Sequence, residues 1–349
     1  MRWLINIPVW GEAYRLRWLE RGLPAILDAL KFAGRPEHRW IIHTDGITAD
    51  FELPPGRTLV LPRPYEIVTS RELGRADQVG FKLAEVGEAV MFLNADMVPS
   101  REVFVRCAEI FNTTAKTFVS CPAIRTRDEP PPLGASGEDL AQWAWPHRHK
   151  FTEDCVWQRG GCKLPPYVIV EKDDVPGNIV MHAWDLHPLA IFKDYNFDLL
   201  SPTASEFIGE VPWRQVYVVR SASEMVIAEP CAGQLDYARF KNRAYSKQDV
   251  VSWARHCFTA RNQQLQFRQQ IVLMGLGDPQ AQGIANDLYR GVMRPVRHRW
   301  HWLSLNAANR IRLGLLVPRP IRRLFPKGFR KWFVEFEWPR FRLPTLGWE

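Results

Sequence analysis

Apolar and polar positions along the first 125 residues fall into alternating strand-like and helix-like stretches. Trp3 to Val9 is an apolar run of strand length. Glu12 to Arg21 and Pro24 to Phe32 read as helical, with Pro24 suited to a first turn and Gly34 to a stop. Arg39 to Thr44 is the next strand, closed by Asp45-Gly46, and Thr58 to Leu61 is a short further one. Arg75 to Glu88 places Ala76, Val79, Leu83 and Val86 on one helical face, and Ala89 to Leu93 reads as a strand buried on both sides. Ser100 is positioned to cap a helix reaching Asn112, and Thr117 to Ile124 supplies one more strand. Strands alternating with helices predict an α/β fold whose mostly parallel sheet is covered on both faces. Ligands of such sheets bind beyond the carboxyl ends of the strands. Those ends carry Trp10 with Glu12, Asp45, Asp96, and Arg125 with Arg127.

Farther along, Pro130-Pro131-Pro132, Gly134, Gly137 and Gly160-Gly161 predict a long irregular segment between Arg127 and Leu164, and its tryptophans and histidines favour a lid. Tyr167 to Val170, Asn178 to His182, Val216 to Arg220 and Val226 to Ala228 read as strands. Ser246 with Asp249 opens a long helix to about Leu276, and Asp278-Pro279 opens another to Met293. The expected organisation is a catalytic domain over 1–235, divided near 125, then a helical extension over 236–293 and a tail over 294–349.

Of the 349 residues 46% are hydrophobic and 24% charged, the balance of a folded chain with a large core, which excludes disordered and collagen-like classes. The formal net charge of +8 is unevenly placed. Arg290 to Glu349 holds 14 Lys or Arg against three acidic residues, which makes that segment +11 and the remainder −3. Its cations alternate with Trp300, Trp302, Leu324, Phe325, Trp332 and Phe333, text suited to an anionic membrane surface; an amphipathic helix on the protein's own sheet is the alternative. No nucleic-acid module accompanies the charge, so nucleic acid is not an expected partner. No apolar run approaches the roughly 18 residues of a membrane span. The six cysteines include no C-x-x-C pair, consistent with reduced thiols and a cytoplasmic chain held peripherally on the inner membrane face.

The string Val90-Met91-Phe92-Leu93-Asn94-Ala95-Asp96 ends a strand in two oxygen-bearing side chains one residue apart. A carboxylate at a sheet edge is where a hard divalent cation bridges to a diphosphate. Together with Ile7-Pro8-Val9-Trp10-Gly11-Glu12, this text resembles the GT-A-fold glycosyltransferases, especially family-2-like members with an Asp-x-Asp motif; the resemblance covers about residues 3 to 125. It implies a Rossmann-like, mostly parallel sheet with a helical C-terminal extension, and a nucleotide-sugar donor. By the same resemblance, Pro8, Val9, Trp10 and Glu12 line the base, Asp45 contacts base or ribose, and Asn94 and Asp96 occupy the ends of the Asp-x-Asp motif. Asn94 replaces the first acid of that motif, so an Mn²⁺ or Mg²⁺ ion is expected to bind more weakly or not at all.

A second constellation is Met181-His182-Ala183-Trp184-Asp185-Leu186-His187-Pro188. Strand alternation puts His182 and Trp184 on one face and Asp185 with His187 on the other, until Pro188 ends the strand. The resemblance makes His182 the choice for completing a metal shell with Asp96, His187 the alternate, and Trp184 a platform for a sugar ring. The plainer alternative is a pair of buried histidines bonded to backbone carbonyls. An inverting transfer needs a carboxylate base. Asp154, in Glu153-Asp154, is the closest text to the family's base motif; Asp185 and Asp198 are rivals. Arg125 is placed to steady a leaving diphosphate.

No G-x-G-x-x-G after a strand, G-x-x-x-x-G-K-[ST], H-E-x-x-H or G-x-S-x-G is present, which removes support from dinucleotide oxidoreductases, P-loop NTPases, zincins and α/β-hydrolases. The expectation is a glycosyltransferase acting on a glycan or lipid-linked acceptor in cell-surface polysaccharide synthesis. A metal-dependent phosphoester hydrolase and a non-catalytic membrane scaffold are the alternatives.

Overall fold

In chain order the elements begin with β1 (Arg2–Pro8), α1 (Gly11–Arg17), a π-helical turn (Trp18–Gly22), α2 (Leu23–Phe32), β2 (His38–Thr44), β3 (Tyr65–Thr69), α3 (Leu73–Leu83) and β4 (Glu88–Phe92). There follow β5 (Val98–Pro99), α4 (Val103–Thr113), β6 (Phe118–Cys121), β7 (Ala123–Arg127), α5 (Gly137–Ala144), α6 (Lys150–Asp154), β8 (Gly161–Cys162), β9 (Tyr167–Glu171) and β10 (Ile179–Ala183). The last are β11 (His187–Phe192), β12 (Val216–Val218), β13 (Ile227–Cys231), β14 (Tyr245–Ser246), α7 (Lys247–Cys257), α8 (Arg261–Phe267), β15 (Ile271–Met274) and α9 (Pro279–Met293). This computed structural model describes residues 1–44, 65–69, 73–172, 177–195, 204–231, 244–258 and 260–293. Asp45, the strand expected at Thr58 to Leu61, Asp198 and the basic tail 294–349 lie outside them. The chain divides into two units, Met1–Val292 and Met293–Glu349.

A seven-stranded sheet in the order β12-β6-β11-β4-β1-β2-β3 is the centre of the first unit; all neighbours are parallel except β11, which is antiparallel to both β4 and β6. Side-chain alternation explains its two covered faces. Trp3, Ile5 and Ile7 pack with α2 and α4, while Leu4 shares the opposite cluster with Phe81 of α3. The strand order reverses between β1 and β4, whose carboxyl ends lie at one edge. In open α/β sheets that reversal marks the ligand crevice.

Several sequence expectations are corrected. The α3 helix stops at Leu83, short of Glu88, because Gly87 turns the chain at φ 89° and buried Glu88 instead opens β4, ion-paired with Arg39 at 2.7 Å. The strand expected at Thr117 to Ile124 is divided at Pro122, which has no N–H for a ladder, into β6 of the central sheet and β7 of a three-stranded sheet β5-β13-β7. Ser100 does not cap α4; its amide and hydroxyl join it to Val226 at 2.9 and 3.3 Å. The segment 127–164 is irregular over most of its length, as expected, but is interrupted by two short helices, α5 and α6, with Ser136 capping α5 through the Asp139 amide. The long helix expected from Ser246 to Leu276 is three elements, α7, α8 and β15, of which the first carries the expected Ser246–Asp249 capping box. β15 pairs with β10, and β14 with β8, so residues 236–293 contribute strands as well as helices.

Pro188 does not end a strand. It lies in β11 at the centre of the sheet, and the register to β6 shifts between Pro188 and Ala190. A bulge is the arrangement that accommodates a residue with no N–H inside a ladder.

Candidate active site

Asp96 sits in the turn between β4 and β5, at the carboxyl edge where β1 and β4 meet. The Met97 amide donates to the Asn94 carbonyl at 3.0 Å and closes this turn. Gly22 allows the helical segment to approach it: a Cβ there would stand 2.8 Å from the Ala95 carbonyl oxygen. Asp96 is 6% exposed.

The three-stranded sheet brings opposite charges to this turn. Arg125 of β7 and Glu229 of β13 are register partners on parallel strands, so their side chains leave the sheet on the same side. Arg125 Nε donates to Glu229 Oε2 at 3.0 Å, and the side chains are 11% and 4% exposed. Phe151 of α6 lies under the guanidinium, 4.5 Å from ring centroid to Cζ. Burial lowers the pKa of Arg125, but Glu229 and other nearby groups outweigh it, so the net direction is up and the guanidinium stays charged. The second oxygen, Glu229 Oε1, has no hydrogen-bond partner among the described residues.

Burial, and then the charge of Glu229, push the Asp96 carboxyl up to about 7, while Arg125 and Arg17 draw it down. The same charges extend the cluster. Tyr14 of α1 is raised by burial, then by Asp96 and Cys231. Tyr167 of β9 is raised by burial, with Arg125 opposing and Asp185 and Glu229 adding. The result is a cluster in which Asp96, Glu229, Asp185, Arg125 and Arg17 lie within electrostatic reach of one another or of Tyr14 and Tyr167.

The two histidines separate. Because the chain turns at Trp184 and Asp185, His182 ends in β10 of a three-stranded sheet β15-β10-β9, and His187 opens β11 of the central sheet. His182 Nδ1 lies 3.0 Å from the Phe267 carbonyl oxygen, and burial lowers its pKa to about 4. His187 Nε2 lies 2.7 Å from the Phe92 carbonyl oxygen at the end of β4; its pKa is lowered by burial, with Phe92 and Glu229 opposing. Thus the charge of Glu229 reaches His187. Among the described residues no three His, Cys, Asp or Glu side chains are grouped to hold a metal, so the structure does not bring Asp96, His182 and His187 together as one shell.

The remaining expected residues are distributed as follows. Pro8 and Val9 are buried at the end of β1, the Val9 amide donating to the His43 carbonyl at 2.8 Å, and Trp10 precedes α1 with its indole N–H buried and unpartnered among the described residues. Glu12 lies in α1. Asn94 is half-buried in the Asp96 turn. Asp154 is ion-paired with Lys150 at 3.2 Å and Lys163 at 3.3 Å, while Asp185 acts on Tyr167 within the cluster. Trp184 is wholly buried, stacked on Phe267 at 3.6 Å between centroids and parallel to Phe258 at 6.2 Å, so it is core and not a sugar platform. Glu229, Arg17, Tyr14 and Tyr167 were not singled out from sequence. Glu229-Pro230-Cys231 follows the apolar run Met225 to Ala228, the same apolar-strand-then-acid signature that drew attention to Asp96.

No family model and no curated protein matches the chain. Among solved structures, the crystal structure of S. aureus TarS 1–349 in complex with UDP-GlcNAc is similar over 87% of this chain and 76% of that one, at 11% identity and a TM-score of 0.39. The TarS 1–349 complex with UDP matches 87% and 75% at 12% identity and a TM-score of 0.36. Likenesses at this level carry no weight for function.

Proposed function

We propose that the chain is a nucleotide-sugar-dependent glycosyltransferase acting on a glycan or lipid-linked acceptor. The observation that carries this reading is the buried Asp96 turn at the β1–β4 edge, set against the Arg125–Glu229 pair. A diphosphate bound there meets Arg125, paired with Glu229, and Arg17, paired with Asp128 at 3.4 Å, as nearby counter-charges. Exclusion of water from this region strengthens those interactions. Pro8, Val9 and Trp10, at the adjacent strand end, line the base in this reading, with Glu12 two residues farther on and Asp45 directly after β2 in sequence.

The donor set for Mn²⁺ or Mg²⁺ is Asp96 with Glu229. Both are hard oxygen ligands, Glu229 Oε1 has no hydrogen-bond partner among the described residues, and Asp96 is raised by burial and then by the charge of Glu229, a repulsion that a dication would relieve. When bound, such an ion supplies charge neutralisation to the leaving diphosphate. His187, tied to the Phe92 carbonyl, orients the end of β4 and is not a ligand in this reading. Asp185 is the base that takes the acceptor hydroxyl proton, in preference to Asp154, whose carboxylate is engaged by two lysines. The basic tail attaches the enzyme to an anionic inner membrane face.

A thermal-shift panel of UDP- and GDP-sugars with Mn²⁺ or Mg²⁺ tests the reading. At least one nucleotide sugar is expected to raise the melting temperature, and Asp96→Asn to abolish that rise. Stabilisation by none of them overturns it, and turnover of a generic phosphodiester unaffected by sugar nucleotides favours the hydrolase alternative.

A further inference from the structure

None of the residues of the acid–arginine cluster lines a second feature, a cavity of about 730 Å³ between the β8–β9 region and α9. Trp157, Gln158, Arg159, Glu171, Lys172 and Gln280 give it its chemistry. Its volume lies in the range of small-molecule sites.

The walls are fixed by backbone. Gln158 and Gly161 exchange amide–carbonyl hydrogen bonds at 2.7 and 3.0 Å around the two-residue turn Arg159-Gly160. Behind it Gly161 packs so closely on β14 that a Cβ would stand 2.2 Å from the Tyr245 carbonyl oxygen. The Trp157 amide donates to the Ile169 carbonyl at 2.7 Å, and the Lys172 amide to the Asn178 carbonyl at 3.1 Å.

Arg159 and Gly160 both have positive φ, 50° and 83°. A two-residue hairpin turn of this kind favours Asn, Asp or Gly at its first position, and an arginine there is disfavoured by its own backbone. A locally unfavourable residue at the mouth of a cavity points to a role for its side chain.

That side chain is a guanidinium, and the lining adds a second cation, an indole and two primary amides. Among the described lining residues the one acid, Glu171, accepts the Trp145 indole N–H at 3.2 Å. An indole offers a flat apolar face to a pyranose, amides bond its hydroxyls in both directions, and an arginine fork binds a carboxylate or phosphate through two parallel hydrogen bonds. We propose that this cavity is a second ligand site that binds a saccharide bearing an anionic group, with Arg159 as its anion-binding residue. The proposal goes beyond the glycosyltransferase reading and does not depend on it.

Titration calorimetry on the full chain tests it with three probes: tetragalacturonic acid, pentamannose 6-phosphate and neutral maltotetraose. One or both anionic probes bind and maltotetraose does not; which one binds identifies the carboxylate or phosphate source. Arg159→Gly weakens that binding by about tenfold while its melting temperature equals or exceeds the wild type, since glycine relaxes the turn. Lys172→Gln weakens it in the same direction, and Asp96→Asn leaves it unchanged. Binding of neither anionic probe, equal binding of maltotetraose, wild-type affinity in Arg159→Gly, or loss of binding in Asp96→Asn each overturns the proposal. A negative result with nucleotide sugars leaves these outcomes as they stand, so the two readings fail separately.

Discussion

Arg125 and Glu229 face each other in register across the parallel strands β7 and β13, joined at 3.0 Å and almost removed from solvent. A buried ion pair is weak evidence for stability, but removing one partner leaves an uncompensated charge. Here the loss is compounded, because Arg125 also offsets Asp96.

Arg125→Met is therefore expected to lower stability by about 3–5 kcal/mol, measured by urea denaturation at neutral pH. The double variant Arg125→Met/Glu229→Leu is expected to recover much of that loss. Equal stability of the single variant and the wild type contradicts the pair's role.

Asp96 gives the fold a signed pH dependence. Its folded pKa of about 7, raised by burial and then by Glu229, exceeds the ordinary aspartate value of 3.8, so between those values the folded protein holds a proton that the unfolded chain has released. The contribution of Asp96 therefore declines as pH rises from about 4 to about 7 and is flat above, with a slope of at most about 1.4 kcal/mol per pH unit. His43 and His182, lowered by burial from 6.5 to about 4, act oppositely: their stability is lost as pH falls from 6.5 to 4. The variant comparison isolates the acid. Asp96→Asn is expected to gain stability relative to the wild type as pH climbs through this window, and a pH-independent difference rules the assignment out.

Gly22→Ala pushes a methyl group against the Ala95 carbonyl of the Asp96 turn. Overpacking against backbone is expected to cost about 1–3 kcal/mol and to weaken nucleotide-sugar binding with no direct contact to ligand. Melting curves with and without nucleotide sugar separate the two effects; unchanged stability contradicts the packing.

Trp184 and His182 are core residues in this structure. Trp184→Ala is expected to destabilise by about 3–5 kcal/mol through the space left beside Phe267. The milder Trp184→Phe is expected to keep nucleotide-sugar affinity. A selective loss of affinity in a stably folded Trp184→Phe protein would return the residue to the binding site.

The central sheet was readable from sequence where strands are covered on both faces. Trp3 to Val9 and Ala89 to Leu93 have no polar interruption except Asn6, which is buried and hydrogen-bonded to Asp77 at 3.1 Å. Asp96 was readable because an acid directly after such a strand sits at the ligand edge. Prolines misled in both directions: Pro188 reads as a stop yet is carried through β11 on a bulge, and Pro122 sits inside an apolar run yet divides two sheets. A strand that runs on to Pro188 carries His182 and His187 together, whereas β10 and β11 belong to different sheets, and the metal shell that the family resemblance implies is not assembled among the described residues. Glu229 went unread because its partner Arg125 is 104 positions away, a pairing that only the β7–β13 register brings about.

Titration of UDP and GDP with Mn²⁺ into the wild type, Asp96→Asn and His182→Ala tests the central claim most directly. The account predicts that a nucleoside diphosphate binds the wild type and His182→Ala alike and that Asp96→Asn loses about tenfold or more in affinity. Equal affinity of Asp96→Asn and the wild type, or no binding of either nucleotide to a folded wild-type protein, contradicts it.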